Sequence, residues 1–367
     1  MSDSLPINLV GLDRQAIETW FVEHKQKAFH GRNVLKWIHK HGVLDFAAMT
    51  DIGKKLRIEL TTKTVAQVPR IVLEQTAKDG TCKWLLELAC GNRIETVYIP
   101  DTDRSTLCIS SQVGCALNCQ FCSTARQGFN RNLDVAEIVG QVWVAIRRLS
   151  NSQHANKQLT NVVLMGMGEP LANFANVVNA INILQDDLTY GLSKYKITLS
   201  TVGLVPALRR LRTVSDINLA VSLHAPNDEL RNQLVPINRK YPIAALLDAC
   251  REFIAGDKRR KVTFEYVMLD GVNDTDTHLR QLVRIMQTLP SKVNLIPFNV
   301  FPDTTFRCSP NHRIEEFRQR LLQGGIMTMT RKTRGNDIDV ACGQLVGQIN
   351  NRACRQLCAS NTVSVPL

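Results

Sequence analysis

The 367-residue chain lacks any run of about 18 consecutive apolar residues, so we expect no segment that spans a lipid bilayer. The N-terminus also lacks the basic-then-apolar layout of a secretory signal peptide, which predicts a cytoplasmic protein without a membrane partner. Hydrophobic residues make up 44% of the chain and charged residues 21%. This mixture excludes a wholly disordered chain, a collagen-like fibre and a small disulfide-stapled scaffold.

Acidic residues are too few to balance the basic ones. The 33 Asp and Glu face 45 Lys and Arg, which gives a formal net charge of +12. A charge of this size is typical of nucleic-acid-binding proteins, although a generally basic soluble protein also has it. Basic clusters suited to phosphate contacts occur at 147–148, 209–212, 258–261 and 331–334.

The 11 cysteines are many for a cytosolic protein, and they cannot all pair within the chain because their number is odd. In a reducing compartment such cysteines are buried thiols, metal ligands or catalysts rather than disulfides. Their positions must therefore decide their roles.

The residue pattern changes three times along the chain. The apolar spacing over Ala28–His41 predicts a helix with a basic face, and turn dipeptides at Asp79-Gly80 and Gly91-Asn92 separate β-rich runs. The predicted regions are a basic helical accessory domain at 1–65, a β-meander extension at 66–100, a domain of βα repeats at 101–345, and a C-terminal helix and tail at 346–367.

Six short apolar runs alternate with helical patterns from about residue 105 onward. Buried strands without polar alternation, separated by helices, predict parallel βα units. Six units fit an incomplete (β/α) barrel or a doubly wound sheet, and both place chemistry at the carboxyl ends of the strands. The predicted strands are Thr106–Ser110, Asn161–Met165, Lys196–Ser200, Ile217–Leu223, Val262–Met268 and Val293–Asn299.

Three closely spaced cysteines follow the first of these strands. Cys115, Cys119 and Cys122 form a C-x3-C-x2-C loop, which can turn all three sulfurs toward one soft metal centre. A structural zinc site needs four ligands. Three thiolates on a four-iron cluster instead leave one iron open to another ligand. Three unrelated buried thiols, or a zinc site completed from elsewhere, are the alternatives.

This loop resembles the signature of the radical S-adenosylmethionine (SAM) enzymes, in which an aromatic residue precedes the third cysteine. The resemblance implies an incomplete (β/α)6-type barrel in the 101–345 region. It also implies one [4Fe–4S] cluster bound by Cys115, Cys119 and Cys122, with SAM on the open iron.

The segment Met165–Pro170 resembles the G-x-G-E-P segment with which that superfamily holds the SAM amino group. Gly168 lets a ligand approach the backbone, and the carboxylate of Glu169 can bind an ammonium group. Short polar groups at the ends of later strands complete the predicted SAM pocket. The alternative for each of them is a purely structural role, in which the group makes its hydrogen bonds within the protein at the end of its strand. These further candidates are Ser200, Ser222, Leu223, His224 and Asn299.

Motifs outside the SAM pocket resemble one family in particular, the radical SAM ribosomal RNA adenine-C2 methyltransferases, which also modify an adenosine in certain tRNAs. The resembling segments are Ile94–Pro100, Cys119–Thr124, Gln127–Arg131, Arg331–Asp339 and Ala341–Leu345. The similarity runs from the N-terminal helical region to about residue 350, so that Cys354 and Cys358 lie outside it.

The resemblance implies a mechanism that consumes two SAM molecules in each turnover. Cys342 takes a methyl group from the first SAM, and the second provides a radical that activates this methyl group for addition to C2. Glu95 is the implied base and Cys108 the implied resolving thiol, which leaves a Cys108–Cys342 disulfide. The implied partners are 23S rRNA, tRNA and an electron donor such as flavodoxin, and the implied oligomeric state is a monomer.

Three other functions remain open at the level of sequence. Methylation of adenine C8 uses nearly the same machinery and is the nearest alternative. A glycyl-radical activase would share the cysteine loop but needs neither Cys342 nor Cys108. A zinc-bearing RNA-binding protein would explain the basic charge without the Gly-x-Gly-Glu-Pro strand end.

Overall fold

A computed structural model of the chain describes residues 6–150, 159–257, 259–302, 304–332, 334–335, 338 and 343–347. Cys342 lies outside the described residues, as does the predicted helix with Cys354 and Cys358. None of the helices within these ranges combines the length and the apolar character needed to cross a lipid bilayer.

The N-terminal region encloses a small core of its own. A two-residue strand β1 (Ile7–Asn8) pairs in parallel with β2 (Thr64–Val65), a pairing that the sequence pattern did not predict. Asp13 begins the first helix by accepting a hydrogen bond from the backbone N–H of Ala16 at 2.8 Å. The three helices that cover this core are α1 (Arg14–Glu23), α2 (Ala28–Leu35) and α3 (Lys54–Lys63).

The helix predicted over Ala28–His41 changes its winding halfway. After α2 ends, Lys36–Lys40 form a π-helix, in which the N–H of His41 donates to the carbonyl of Lys36 at 3.0 Å. The wider turn lies where this region meets the rest of the molecule: the Trp143 indole donates to the carbonyl of Ile38 at 2.8 Å. These tertiary contacts are absent from the local pattern, which explains why the periodicity predicted one regular helix.

The predicted meander consists of three antiparallel strands. These are β3 (Arg70–Thr76), β4 (Cys82–Glu87) and β5 (Arg93–Pro100). The meander continues into the main sheet, because β5 pairs antiparallel with β6 (Ser105–Cys108). After β6 comes a hairpin of β7 (Gln112–Gly114) and β8 (Phe129–Asn132), with the short helix α4 (Ser123–Arg126) between them.

The remaining strands lie in chain order and run parallel, beginning with β6. This sequential order is that of an incomplete (β/α) barrel and confirms the predicted fold class. In a doubly wound sheet the order of the strands reverses at a switch point. The strands here follow the chain order without such a reversal, so the alternative of a doubly wound sheet is wrong. The strands after the hairpin are β9 (Asn161–Leu164), β10 (Ile197–Thr201), β11 (Asn218–Ser222), β12 (Val262–Met268), β13 (Ser291–Pro297) and β14 (Met327–Thr330).

Helices connect the parallel strands and cover the outside of the sheet. Their apolar sides pack on the strands and bring the carboxyl ends of the strands to one end of the barrel. They are α5 (Val135–Ser150), α6 (Phe174–Gln185), α7 (Val205–Val214), α8 (Asp228–Leu234), α9 (Ile243–Ile254), α10 (Asp276–Met286) and α11 (Asn311–Gln323).

Candidate active site

A cavity opens at the carboxyl ends of the parallel strands. The predicted residues that line it are Cys115, Cys119, Cys122, Gly168, Glu169, Ser200, Ser222, His224 and Asn299. These positions come from five segments far apart in sequence. Leu223, the other predicted SAM contact, has a fully buried side chain behind the wall, and its carbonyl accepts a hydrogen bond from Arg231.

The cysteine loop lies inside the hairpin of β7 and β8. Gly114, immediately before Cys115, has a φ of +73°, which L side chains rarely adopt. A Cβ there would lie 1.7 Å from the carbonyl oxygen of Gly128 on the opposite side of the hairpin. The loop can therefore leave the hairpin at this angle only because residue 114 is glycine.

We expect Gly114→Ala to lower the free energy of unfolding by more than about 3 kcal/mol, since backbone strain adds to the clash with Gly128. Gly91→Ala is the matched control: Gly91 has a φ of +80°, but a Cβ there would have no neighbour within 4 Å. This control should lose only about 1–2 kcal/mol. Denaturant titration of both variants measures the difference, and equal losses would show that the close approach to Gly128 has no effect.

Hydrogen bonds join the start of the cysteine hairpin to the Gly-x-Gly-Glu-Pro segment. The N–H groups of Ser111 and Gln112 donate to the carbonyl of Met167 at 2.8 and 3.1 Å. The Gln112 side chain in turn accepts from the N–H of Glu169 at 2.9 Å. A Cβ on Gly166 would lie 2.7 Å from the carbonyl of Ile109, so this close pairing also needs a glycine.

The carboxylate of Glu169 bridges the second and third barrel strands. Its Oε1 accepts from the N–H of Leu171 at 3.0 Å, and its Oε2 accepts from the N–H of Val202 at 2.9 Å. Burial nevertheless raises the pKa of Glu169 to about 7. A cationic ligand group in the cavity would favour the charged carboxylate, as the predicted role in holding the SAM amino group requires.

His224 is held as a neutral imidazole. Its Nδ1 accepts from the backbone N–H of Val267 at 3.0 Å, and burial lowers the pKa of His224 to about 3. The ring meets that of Phe121 edge to face, with 4.3 Å between the centroids. Because Nδ1 is an acceptor, the proton is on Nε2, which makes His224 a hydrogen-bond donor.

Glu265 lines the same cavity and was not among the sequence candidates. Its Oε2 accepts from the Ser200 hydroxyl at 3.3 Å, whereas its buried Oε1 has no hydrogen-bond partner among the described residues. An acid within the otherwise apolar run Val262–Met268 was the sequence signal that could have identified it. A hydrogen-bond donor on a bound ligand would satisfy Oε1, so the cavity fits a polar cofactor.

The three loop cysteines fit an iron–sulfur cluster better than a single zinc ion. Within the described ranges, no three His, Cys, Asp or Glu side chains are grouped so that one ion could bind them. Three cluster thiolates each bind a different iron and need not meet at one point. Burial raises the pKa of Cys115 to about 12 and also raises the pKa of Cys119 and Cys122, so a metal centre must favour their thiolates.

Glu95 and Cys108 lie on neighbouring strands and face the interior of the barrel. Thr96 donates to Gln141 of α5 at 2.7 Å, so its neighbour Glu95 points away from that outer helix. Val97 pairs with Cys108, which places the Cys108 and Glu95 side chains on the same face of the sheet. Neither belongs to the described lining of the cavity.

A segment that we name the C-terminal strap, residues 343–347, connects Glu95 with the cysteine loop. The N–H of Ser123, the residue after Cys122, donates to the carbonyl of Gly343 at 2.6 Å. At the other end, the N–H of Val346 donates to Glu95 Oε2 at 2.9 Å. Gly343 directly follows Cys342 in the chain, so the strap ties the segment after this cysteine to both sites.

Two of the predicted basic clusters lie at the end of the barrel opposite the cavity. Arg212 donates to the carbonyl of Ala255, which follows α9 and precedes β12, so the clusters at 209–212 and 259–261 lie opposite the cavity. Lys258 lies outside the described residues. Three of the predicted clusters contain an arginine already paired with a carboxylate: Arg148 with Glu74, Arg209 with Glu252, and Arg334 with Asp101.

Two family models match separate parts of the chain. The model of the ribosomal RNA large subunit methyltransferase N-terminal domain matches residues 7–66, and that of the radical SAM superfamily matches residues 109–283. The second match includes the cysteine loop and four of the parallel barrel strands, β9 to β12.

Full-length relatives and a solved structure are also similar to the chain. A dual-specificity RNA methyltransferase RlmN from Alkalilimnicola ehrlichii is 53% identical over 350 residues, 95% of this chain and 96% of the relative. Its counterpart from Stenotrophomonas maltophilia is 54% identical over 361 residues, 95% of this chain and 90% of the relative. The crystal structure of a radical SAM methyltransferase from Sphaerobacter thermophilus has a TM-score of 0.87 at 42% identity, covering 93% of this chain and 99% of that one.

These similarities confirm the predicted enzyme class and the use of a [4Fe–4S] cluster and SAM. The glycyl-radical activase and the zinc-bearing binding protein are thereby excluded as the function. The chain belongs to the dual-specificity RNA methyltransferases of the radical SAM superfamily.

Proposed function

We propose that this enzyme methylates C2 of an adenosine in 23S rRNA and of an adenosine in certain tRNAs. One observation carries the proposal: the strap that follows Cys342 is hydrogen-bonded both to Glu95 and to the residue after the last loop cysteine. The strap thus connects the residue proposed to remove the C2 proton, the segment after the proposed methyl-carrying cysteine and the loop proposed to hold the cluster. C2 of adenine is an electron-poor carbon that cannot displace a methyl group from SAM directly, so it needs such a set.

In this proposal, Cys342 is the nucleophile and Glu95 the base. The thiolate of Cys342 takes the methyl group of one SAM and releases S-adenosylhomocysteine. The adenosyl radical from a second SAM removes one hydrogen atom from this S-methyl group, and the resulting methylene carbon forms a bond to C2. Glu95 then removes the C2 proton, and the radical adduct gives up one electron to a one-electron carrier. Oε1 of Glu95 lies 3.2 Å from Lys83 Nζ, which balances its charge, and the side chain is only 9% exposed, so water has little access to the carboxylate.

Cys108 resolves the covalent protein–RNA intermediate. Its thiolate attacks the sulfur of Cys342, and the bond from that sulfur to the methylene carbon breaks with its electron pair moving to the carbon. The carbon takes up a proton and becomes the methyl group on C2, and a Cys108–Cys342 disulfide remains. A thiol reductant must then restore both cysteines. The location of Cys108 on the Glu95 face of β6 supports this division of roles.

The remaining cavity residues hold SAM and the cluster. Cys115, Cys119 and Cys122 would hold the cluster, and Gly168 and Glu169 would receive the SAM amino group. Ser200, Ser222, the backbone at Leu223, His224 and Asn299 are the proposed contacts for the rest of SAM. When bound, the cluster supplies the electron that cleaves SAM to an adenosyl radical.

The division of the chain into residues 1–65, 66–100, 101–345 and 346–367 remains our proposal for its functional parts. The basic N-terminal module would hold the RNA, with the target adenine turned out of its helix. A flavodoxin-type donor, a monomeric state and a cytoplasmic location complete the proposal.

The deciding experiment is anaerobic and uses methyl-deuterated SAM with unmodified rRNA and tRNA fragments. The reconstituted enzyme and a chemical reductant should yield 2-methyladenosine that retains two deuterons, because one is lost when the methyl group is activated on Cys342. Mass spectrometry of the nucleosides identifies the position. A product at C8, or a methyl group with three deuterons, would contradict the proposal.

A further inference from the structure

Arg231, on helix α8, is fully buried beside the cavity and makes hydrogen bonds only with neutral groups. Its Nη2 donates to the carbonyls of Val202 at 2.7 Å and Ser222 at 3.1 Å, and its Nε donates to the carbonyl of Leu223 at 3.1 Å. Its Nη1 donates to Asn238 Oδ1 at 2.7 Å. No hydrogen bond or ion pair to a carboxylate is present among the described residues.

A buried cation without a paired anion is costly, so its retention needs a reason. Burial lowers the pKa of Arg231 to about 10, which still leaves the guanidinium charged at neutral pH. The carboxylate connected to it is Asp228, and this connection runs through an intervening amide: Asn238 Nδ2 donates to Asp228 Oδ1 at 2.9 Å. The positive charge is therefore only indirectly balanced within the protein.

The cysteine loop packs directly on the helix that carries Arg231. The N–H of Gln120 donates to the carbonyl of Leu234 at the end of α8, at 3.0 Å. Cys119 is buried in one apolar cluster with Ala225, Leu234 and Val235. Two carbonyls that Arg231 holds, those of Val202 and Ser222, belong to residues that line the cavity.

We propose that Arg231 is a positioning residue whose fixed positive charge, behind Cys119, makes the cluster easier to reduce. Reduction adds one electron, from a low-potential one-electron donor, to a centre whose thiolates already give it negative charge. In the dry wall of the cavity a nearby cation stabilises the more negative, reduced state more than the oxidised state. The same guanidinium holds the ends of two strands at the SAM pocket.

The test is a redox titration of the anaerobic holoenzyme, followed by electron paramagnetic resonance of the reduced cluster. We expect Arg231→Met to shift the midpoint potential to more negative values, by at least a tenfold change in the reduction equilibrium, or about 59 mV for one electron. Arg231→Lys retains the charge with fewer donors and should restore most of the potential. Iron and sulfide content, measured alongside, shows whether each variant keeps its cluster.

A second variant leaves Arg231 in place, which matters if Arg231→Met fails to fold. Asp228→Asn removes the indirectly balancing carboxylate but retains an oxygen that can accept from Asn238 and from the N–H of Ile243. It should shift the potential in the opposite direction, to less negative values. Arg313→Met is the control, since Arg313 is paired with Asp276 and Glu316 and lies outside the cavity lining; its potential should equal that of the wild type.

Opposite shifts for Arg231→Met and Asp228→Asn would support an electrostatic role, because loss of packing alone would not reverse sign. An unchanged potential in Arg231→Met with four irons would overturn the inference, and so would shifts of the same sign in Arg231→Met and Asp228→Asn. The inference rests on the proposed location of the cluster at Cys115, Cys119 and Cys122. Absence of iron from the wild-type enzyme would refute that proposal instead, so the two failures are distinguishable.

Discussion

A Cys108→Ala variant is expected to remain covalently joined to its RNA. Without a thiol to attack the sulfur of Cys342, the intermediate has no route to release, so turnover stops after a single event per enzyme. The variant should carry a nuclease-sensitive mass increase, with the RNA attached at Cys342. Denaturing gel electrophoresis followed by peptide mass spectrometry measures both the amount and the site of the crosslink.

Cys82→Ala is the matched control for this experiment. Cys82 is as deeply buried as Cys108, at 4% and 5% exposure, and it also lies on a strand of the main sheet. It pairs with Tyr98, however, and therefore points to the face covered by α5 rather than to the barrel interior. The control should release methylated RNA normally. Free RNA and normal turnover in Cys108→Ala would remove Cys108 from the mechanism.

The largest effect on the cofactor is expected from Cys119→Ala. Loss of one of the three thiolates leaves the cluster with two protein ligands. Mutation of a residue that only supports a metal ligand lowers metal affinity by up to roughly 100-fold, and loss of the ligand itself should lower it further. Iron content should fall from four per chain to less than about one, with loss of the iron–sulfur absorbance and of SAM cleavage. Quantification of iron and sulfide after anaerobic reconstitution provides the measurement.

Cys250→Ala controls for the loss of a buried thiol as such. Cys250 is fully buried on α9, and burial raises the pKa of its thiol to about 12, the value that Cys115 also has. The control should retain four irons and wild-type turnover, because Cys250 does not line the cavity. A cluster that survives intact in Cys119→Ala would show that another ligand completes it and would contradict the proposed assignment.

The structure and the sequence agree best where the signal is local. The predicted strand Val262–Met268 has the same bounds as β12, and the predicted strand Asn161–Met165 differs from β9 by one residue. Continuous apolar runs of this length, separated by helical spacing, can be buried in few other ways. The order of the strands in the sheet could not be predicted from these local patterns, because a barrel and a doubly wound sheet have the same alternation of strands and helices.

Much of the cavity could also be predicted, because its residues stand at the ends of recognisable strands. Glu265 and Arg231 were not predicted, although both are buried in its wall. An acid in a strand and an arginine in a short helix are ordinary in composition. Their importance depends on neighbours more than 20 residues away, such as Ser200 for Glu265 and Val202 for Arg231.

The sequence by itself determined the βα rhythm, the cysteine loop and the family, since these depend on spacing within short segments and on residue identity. Only the tertiary structure decided that Glu95 shares a face with Cys108 and that the strap joins Glu95 to the cysteine loop. It also decided that Arg231 is charged, buried and without a direct anionic partner among the described residues. The physical reason is that burial and electrostatic environment are created by strand pairing and long-range packing, which no local pattern encodes.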